Sequence, residues 1–347
     1  LGDVYKRQSL RISIMNYINN FSKYKNFRQF TLNKIINFSG VGVHNGRAVS
    51  MSVEPADINT GIVFIRTDVK KNNIIKAVIE NTSDSNLCTK IKNKHDVSVS
   101  TIEHLMAALN ALSIDNAIIK INNSELPALD GSSYEYVKKM LKSGIKSQSA
   151  NKSYIRVLKK IKVNDGKRYI SISPSNELTI NISIDYPDTI IGNSKFYYPH
   201  SRENFINQLS EARTYAFFED IEKMRIAGLA IGGNLNNALV VDKYKVLNPD
   251  GLRFEKEFVK HKTLDCIGDF YLLGMQLVGE VNCFAPGHKL NQMFVKEILK
   301  DKRNYVIEKA MISEYPEKIY NVLALSLIHI SEPTRRYAIS YAVFCLK

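Results

Sequence analysis

The chain contains no C-x-x-C pair, no H-E-x-x-H and no run of about eighteen apolar residues. Each absence excludes something. Cys88, Cys266 and Cys283 stand alone, which argues against a disulfide framework or a structural zinc knuckle and points to a reducing compartment. Without a stretch of spanning length, and with no signal-peptide pattern ahead of the first strands, the expectation is a soluble cytoplasmic protein. Lacking H-E-x-x-H, the chain does not have the common metalloprotease arrangement of two histidines and a base on one helix.

Acidic charge is also in short supply: 34 Asp and Glu face 48 Lys and Arg, a formal net charge of +14. Part of this excess sits in ends that read as translated library adaptor. Residues 4–8 (VYKRQ) can be encoded by GTG TAT AAG AGA CAG, whose reverse complement encodes LSLIH, the sequence of residues 325–329. Residues 1–8 and 325–347 are therefore set aside as artefact, together with His329 and Cys345, and Met15 is a plausible start. Five cations and two anions go with them, leaving +11. A basic surface can attract nucleic acid, anionic lipid or a phosphorylated small molecule. Here the lysines are scattered, and abundant Lys, Asn and Ile suit an AT-rich genome.

The remaining length exceeds one ordinary core, and the pattern breaks in the polar stretch 144–153. This predicts two domains, 26–146 and 154–324. In the first, alternating runs predict strands at 48–53, 61–67, 74–80, 96–100 and 116–122, with helices at 101–112 and at 133–141, the latter closed by Gly144. In the second, 154–163 and 168–174 flank Asn164-Asp165-Gly166, a hairpin signal, and 177–186 adds a strand. Helices are expected at 203–213, 255–273 and 290–299, with a strand at 280–284. Strands precede helices in each half, so the fold class is α+β, with an internal duplication as one reading.

The chemistry concentrates in two places. His261 and Asp265, four apart on a helix, share one face, where an imidazole and a carboxylate can grip a metal ion together; Asp269 extends that face by a turn. Far upstream, Glu103-His104 sets another possible ligand beside a carboxylate that could act as a base. Both places have plainer readings. Ser100-x-x-Glu103 is also a capping box, and His261 with Asp265 is also an i, i+4 ion pair on a solvated face. Gly287-His288 places a histidine in a loop, while Thr214 and Lys262 could offer a hydroxyl and a cation to a developing oxyanion or a phosphate. The glycine-rich apolar piece 228–233 suits a loop against a greasy ligand as well as plain packing.

Together these segments resemble one family, the bacterial UDP-3-O-acyl-N-acetylglucosamine deacetylases of lipid A synthesis. The resemblance runs in order through 39–46 (SGVGVHNG), 100–105 (STIEHL), 129–132 (LDGS), 212–214 (ART), 247–254 (LNPDGLRF), 261–269 (HKTLDCIGD) and 287–288 (GH), covering roughly 30–324. It implies two similar α+β domains, each a sheet layered with helices, packed helix face to helix face with the site at their junction. It implies a catalytic zinc ion held by His104, His261 and Asp265, with Glu103 as general base toward water. It also implies that Thr214 and His288 stabilise the oxyanion, that His288 protonates the leaving amine with Asp269 orienting it, and that Lys262 contacts substrate.

By the same resemblance Cys88 is a pocket-wall residue and 226–234, including Gly233, forms a hydrophobic passage for the acyl chain. Tyr215 stands where a phenylalanine is common after the threonine, and Asn234 where serine is frequent, which bears on passage shape and chain length. The implied substrate is UDP-3-O-(3-hydroxyacyl)-N-acetylglucosamine, with water as co-substrate and one zinc per chain. Nucleic acid is not an expected partner; a monomer making transient contact with the inner membrane surface is. The alternatives are a non-catalytic basic protein that binds anions or nucleic acid, and an inactive gene fragment.

Overall fold

Alternation of apolar and polar residues builds the first sheet. Along β2 (Ala48–Pro55), Val49, Met51 and Val53 are buried while Ala48 and Ser50 face solvent, as a half-buried strand requires. The computed structural model describes residues 27–310; the ends read as adaptor lie outside these residues. With β1 (Ile36–Val41), β3 (Ile62–Arg66), β4 (Ile74–Lys76) and β5 (Ala117–Ile121), β2 forms a five-stranded sheet in the order β1-β2-β5-β3-β4. β5 runs antiparallel to β2 and parallel to β3, so the chain must cross over between β4 and β5. That crossover carries a small three-stranded sheet (Thr82–Ser83, Lys90–Lys92, Ser98–Ser100) and helix α1 (Glu103–Ala111). All nine residues of α1 are buried, because the helix is covered on more than one side. Helix α2 (Tyr134–Ser143) follows, and Gly144 at φ 82° ends it in a conformation glycine adopts without strain.

The second half is organised around one strand. β11 (Gln276–Phe284) pairs parallel with β6 (Ser153–Val157), antiparallel with β8 (Arg168–Ser173) and parallel with β9 (Leu178–Tyr186). β7 (Ile161–Asp165), β10 (Gly192–Pro199) and β12 (Tyr305–Lys309) complete seven strands. Helices α3 (Phe218–Ile226), α4 (Glu257–Phe270) and α5 (His288–Leu299) belong to this half. Among the described residues no helix is long and apolar enough to cross a membrane.

The halves meet where α1 packs on α4. Gly268 makes that contact possible: a Cβ there would lie 2.1 Å from the carbonyl oxygen of Glu103. Asn110 Nδ2 also donates to the carbonyl of Ile267 at 3.2 Å, tying the two helices near their C-terminal ends.

Several expectations need correction. The polar stretch 144–153 is largely strand: Ile145–Asn151 pairs antiparallel with Arg28–Leu32, which buries Phe30, Thr31 and Leu32, while only Ile145 of the later strand is buried. A single strand at 154–163 is instead two, β6 and β7, interrupted by exposed Leu158 to Lys160. The hairpin turn falls one residue later than Asn164-Asp165-Gly166 suggests, since Asp165 pairs with Arg168 and Gly166 takes φ 60°. The helix expected at 203–213 is a short turn, Arg202–Asn204, running into a π-helical turn, Phe205–Leu209, which buries Phe205 and Leu209 together. β10 and α3 were not expected at all.

Candidate active site and metal centre

The N-terminus of α1 decides between capping and chemistry. Its N-cap position is Ile102, and no side chain caps it. The Glu103 carboxylate turns away from Ser100 and accepts the Thr89 amide at 2.9 Å. The capping box does not form, and Glu103 is only 3% exposed with its acid end in a cavity. Burial raises the Glu103 pKa, opposed by the neighbouring His288.

On α4, His261 and Asp265 face not solvent but α1. Their ligand atoms and that of His104 all lie within 4.8 Å of one another. Asp265 Oδ1 stands 3.4 Å from His261 Nε2 and 3.6 Å from His104 Nε2, hydrogen-bonded to neither. It is buried and has no hydrogen-bond partner. A buried, unpartnered carboxylate oxygen flanked by two imidazole nitrogens is costly as it stands and is satisfied by a cation. One carboxylate and two imidazoles fit zinc's preference for mixed N and O donors, with coordination positions left over.

Protonation states agree with this. His261 Nδ1 faces the Ala212 carbonyl at 3.0 Å, and a carbonyl can only accept, so this nitrogen carries the proton and Nε2 keeps its lone pair. Burial drives the His261 pKa down to about 3, so a His261–Asp265 ion pair does not form at neutral pH. Asp265 is held well below the usual carboxylate range despite burial, by His261 and Lys262; with His261 neutral, the Lys262 ammonium at 3.2 Å carries this effect. For His104, burial is outweighed by the facing Asp265 carboxylate and the pKa rises, a shift that a shared cation would oppose.

The start of α4 is held by motif residues that touch no ligand atom. Glu257, fully buried, accepts from Arg213 Nε at 2.8 Å, the Arg213 amide at 3.1 Å and the Arg253 amide at 2.7 Å. Asn248 secures the adjoining loop through Val240 N, Leu235 O and Ala238 O. Gly131, at φ 79°, accepts the Thr214 amide at 2.8 Å, and a Cβ there would meet the Asn237 carbonyl at 2.1 Å.

Beside the three donors lies a second cluster. His288, the first residue of α5, sets Nδ1 2.9 Å from Asp269 Oδ2 and Nε2 4.0 Å from Glu103 Oε1. Burial disfavours its charge, yet Asp269 pushes the His288 pKa up to about 9. Asn291 Nδ2 donates to Asp269 Oδ2 at 2.7 Å.

A cavity of about 960 Å³ opens onto both clusters. Glu103, His104, His261, Asp265, His288, Lys262, Thr214, Tyr215 and Gly233 all line it. Asp269 sits behind His288, 1% exposed. Cys88 is behind the wall made by its neighbours Ser85, Asn86 and Leu87, and burial pushes its thiol up to about 12. Of the span 226–234, Ala230, Gly233 and Asn234 line the cavity, whereas Ile226 is 82% exposed. The apolar wall includes Phe218, Ile221 and Met224 of α3, with Leu235, Val240 and Leu247.

Sequence reasoning missed two other participants. α3 carries three acidic and two basic residues, so its apolar side reads as weak; that side faces the cavity rather than the core. His44 also lines the cavity, and its carbonyl accepts the Ile231 amide at 3.0 Å, joining the loop of one half to that of the other. Its signal was the glycine spacing around it. A Cβ at Gly232 would lie 2.3 Å from the Gly42 carbonyl, so glycine at 232 admits this approach.

Residues 29–300 match the LpxC family, described as UDP-3-O-acyl N-acetylglycosamine deacetylase. A UDP-3-O-acyl-N-acetylglucosamine deacetylase of Wigglesworthia glossinidia brevipalpis is 40% identical over 281 residues, covering 80% of this chain and 94% of that protein. Proteins with the same description are 41% identical over 273 residues in Shewanella oneidensis (78% of this chain, 89% of the relative) and 40% identical over 303 residues in Actinobacillus succinogenes (87% and 99%). With the match spanning every segment that faces the cavity, the chain belongs to the LpxC family of deacetylases.

Proposed function

We propose that the chain hydrolyses the N-acetyl group of UDP-3-O-(3-hydroxyacyl)-N-acetylglucosamine to give acetate and the free amine, the committed step of lipid A biosynthesis. The observation that carries this reading is the meeting of His104 with His261 and Asp265 around an unpartnered carboxylate oxygen, inside a cavity with a long apolar wall. Family membership supplies the substrate class.

In this reading His104, His261 and Asp265 hold one zinc ion. When bound, zinc supplies Lewis acidity to the amide carbonyl and to the water beside it. Glu103, buried and raised in pKa, takes the proton from the attacking water as its oxygen bonds to the carbonyl carbon. Charge developing on the carbonyl oxygen is met by the Thr214 hydroxyl and the His288 imidazolium. His288, protonated at neutral pH through Asp269, gives its proton to the departing nitrogen as the C–N bond breaks. Lys262, poised between Asp265 and the Tyr215 ring, contacts substrate. The acyl chain lies along Phe218, Ile221 and Met224, beside Tyr215 and Gly233, with Cys88 behind the wall.

The proposed domain bounds are 26–146 and 154–324, with residue 26 and the last residues of the second lying outside those described. The working form is a cytoplasmic monomer that meets the inner membrane surface transiently and takes no nucleic acid. Purified protein given UDP-linked acyl-N-acetylglucosamine of graded chain lengths should release one acetate per amine formed. No acetate release from any of them, with metal present, would overturn the proposal.

A further inference from the structure

Thr89 is fully buried just before the strand Lys90–Lys92 and no motif reading singles it out, yet it touches both proton-handling groups. Its amide donates to Glu103 Oε2 at 2.9 Å, and its carbonyl accepts the Ile102 amide at 3.4 Å, so its backbone clamps the first turn of α1. Its hydroxyl donates to Asp269 Oδ1, while the same oxygen lies 3.2 Å from His288 Nδ1. Since Asp269 Oδ2 faces that Nδ1 at 2.9 Å and Oδ1 already takes the hydroxyl proton, the imidazole N–H is shared between a carboxylate and a hydroxyl lone pair. That leaves Nε2 turned toward Glu103 Oε1, 4.0 Å away.

We propose that Thr89 is a positioning residue for the deacetylation, fixing the base Glu103 through its backbone and the acid His288 through the hydroxyl contact with Asp269, so that the two proton carriers keep a set spacing. The inference rests on the roles given to Glu103 and His288 above. Thr89 touches neither substrate nor metal ligand in this arrangement; it acts through the residues it holds. A loose His288 ring would spend much of its time unable to reach the leaving nitrogen, so the penalty falls on turnover and not on binding.

The test compares Thr89→Val, which keeps shape and backbone amide but removes the hydroxyl, with Thr89→Ser, which restores it. Thr89→Val is expected to lower kcat about 10- to 100-fold, as for loss of a hydrogen bond to a charged group. KM and bound zinc should stay within about twofold, and Thr89→Ser should recover most of the rate. In an Asp269→Asn background Thr89→Val should add little further loss. Nitrogen-15 NMR of the His288 ring in zinc-free protein gives a readout independent of turnover: Thr89→Val should change its tautomer or protonation signature, and Thr89→Ser should not. Normal kcat in folded Thr89→Val, equal losses in Val and Ser, or a loss confined to KM would each overturn the inference. Should Thr89→Val not fold, Thr89→Ala is read by the same ring signature and the same Ser rescue. If Glu103→Gln and His288→Gln both keep normal turnover, the underlying reading has failed; if both are inactive and Thr89→Val is normal, only this inference has.

Discussion

Replacing Gly268 with alanine places one methyl group between α1 and α4 at the point that brings the two half-sites together. The new Cβ would meet the Glu103 carbonyl oxygen at 2.1 Å and the Ala107 amide nitrogen at 3.2 Å. Ordinary contact begins near 3.4 Å, so the helices must separate by about 1.3 Å at Glu103. The atoms in the way are backbone and cannot swing aside. Such overpacking costs about 1–3 kcal/mol of stability. The larger effect is on the site: His104 rides on α1 while His261 and Asp265 ride on α4, so about 1 Å of separation exceeds the ±0.2 Å within which metal–ligand distances hold. We expect zinc affinity to fall at least about tenfold and kcat about 100-fold, with a lower melting temperature. Competition titration against a chromophoric chelator measures the first and acetate release the second. Unchanged zinc affinity and turnover in Gly268→Ala would show that the α1–α4 distance does not set the site geometry.

Other outcomes follow from the same arrangement. Glu103→Ala should keep its zinc yet lose most turnover, about 10²–10⁴-fold, because base and ligands are separate groups; near-normal turnover would remove Glu103 from the mechanism. The His288 pKa, raised to about 9, means that its acid form is present below that value and lost above it, so kcat should fall on the alkaline side. A bound cation shifts that limb lower; a His288→Gln variant with the same alkaline limb would assign the limb elsewhere. Its contribution to stability is present in full below 6.5 and is lost as pH rises through about 9. For His261 the sign reverses: neutral in the folded chain down to about 3 against 6.5 when unfolded, it costs stability as pH falls through that window, and zinc affinity should fall with it. Ile221→Trp, filling part of the apolar wall, should favour shorter acyl chains in kcat/KM, and an unaltered preference would place the chain elsewhere.

What the sequence made legible follows physical kind. β2 came through because alternating burial is written into side-chain order, and α2 ended at Gly144 as expected. The pairing of His261 with Asp265 was legible because helical spacing alone puts them on one face. That His104 joins them was not a matter of local pattern; it depends on Gly268 letting two helices touch, information that lies in an absent side chain. α3 was illegible because its apolar residues face an open cavity and not the core, so charges outweigh them in any local average. Residues 145–151 read as a linker since their partner strand, Arg28–Leu32, is more than a hundred residues away and only Ile145 among them is buried. Thr89 gave no signal at all: a lone threonine acquires meaning only when the fold sets it between Glu103 and Asp269.

The central claim is that one imidazole from the first half joins an imidazole and a carboxylate from the second around a single cation. Zinc stoichiometry with X-ray absorption at the zinc edge tests it most directly, on the purified chain and on His104→Ala, His261→Ala and Asp265→Ala. The account predicts one ion per chain with two imidazole nitrogens in its shell, and a loss of affinity in all three variants from both halves. Full zinc binding in His104→Ala, or an ion with no imidazole ligands, would contradict it.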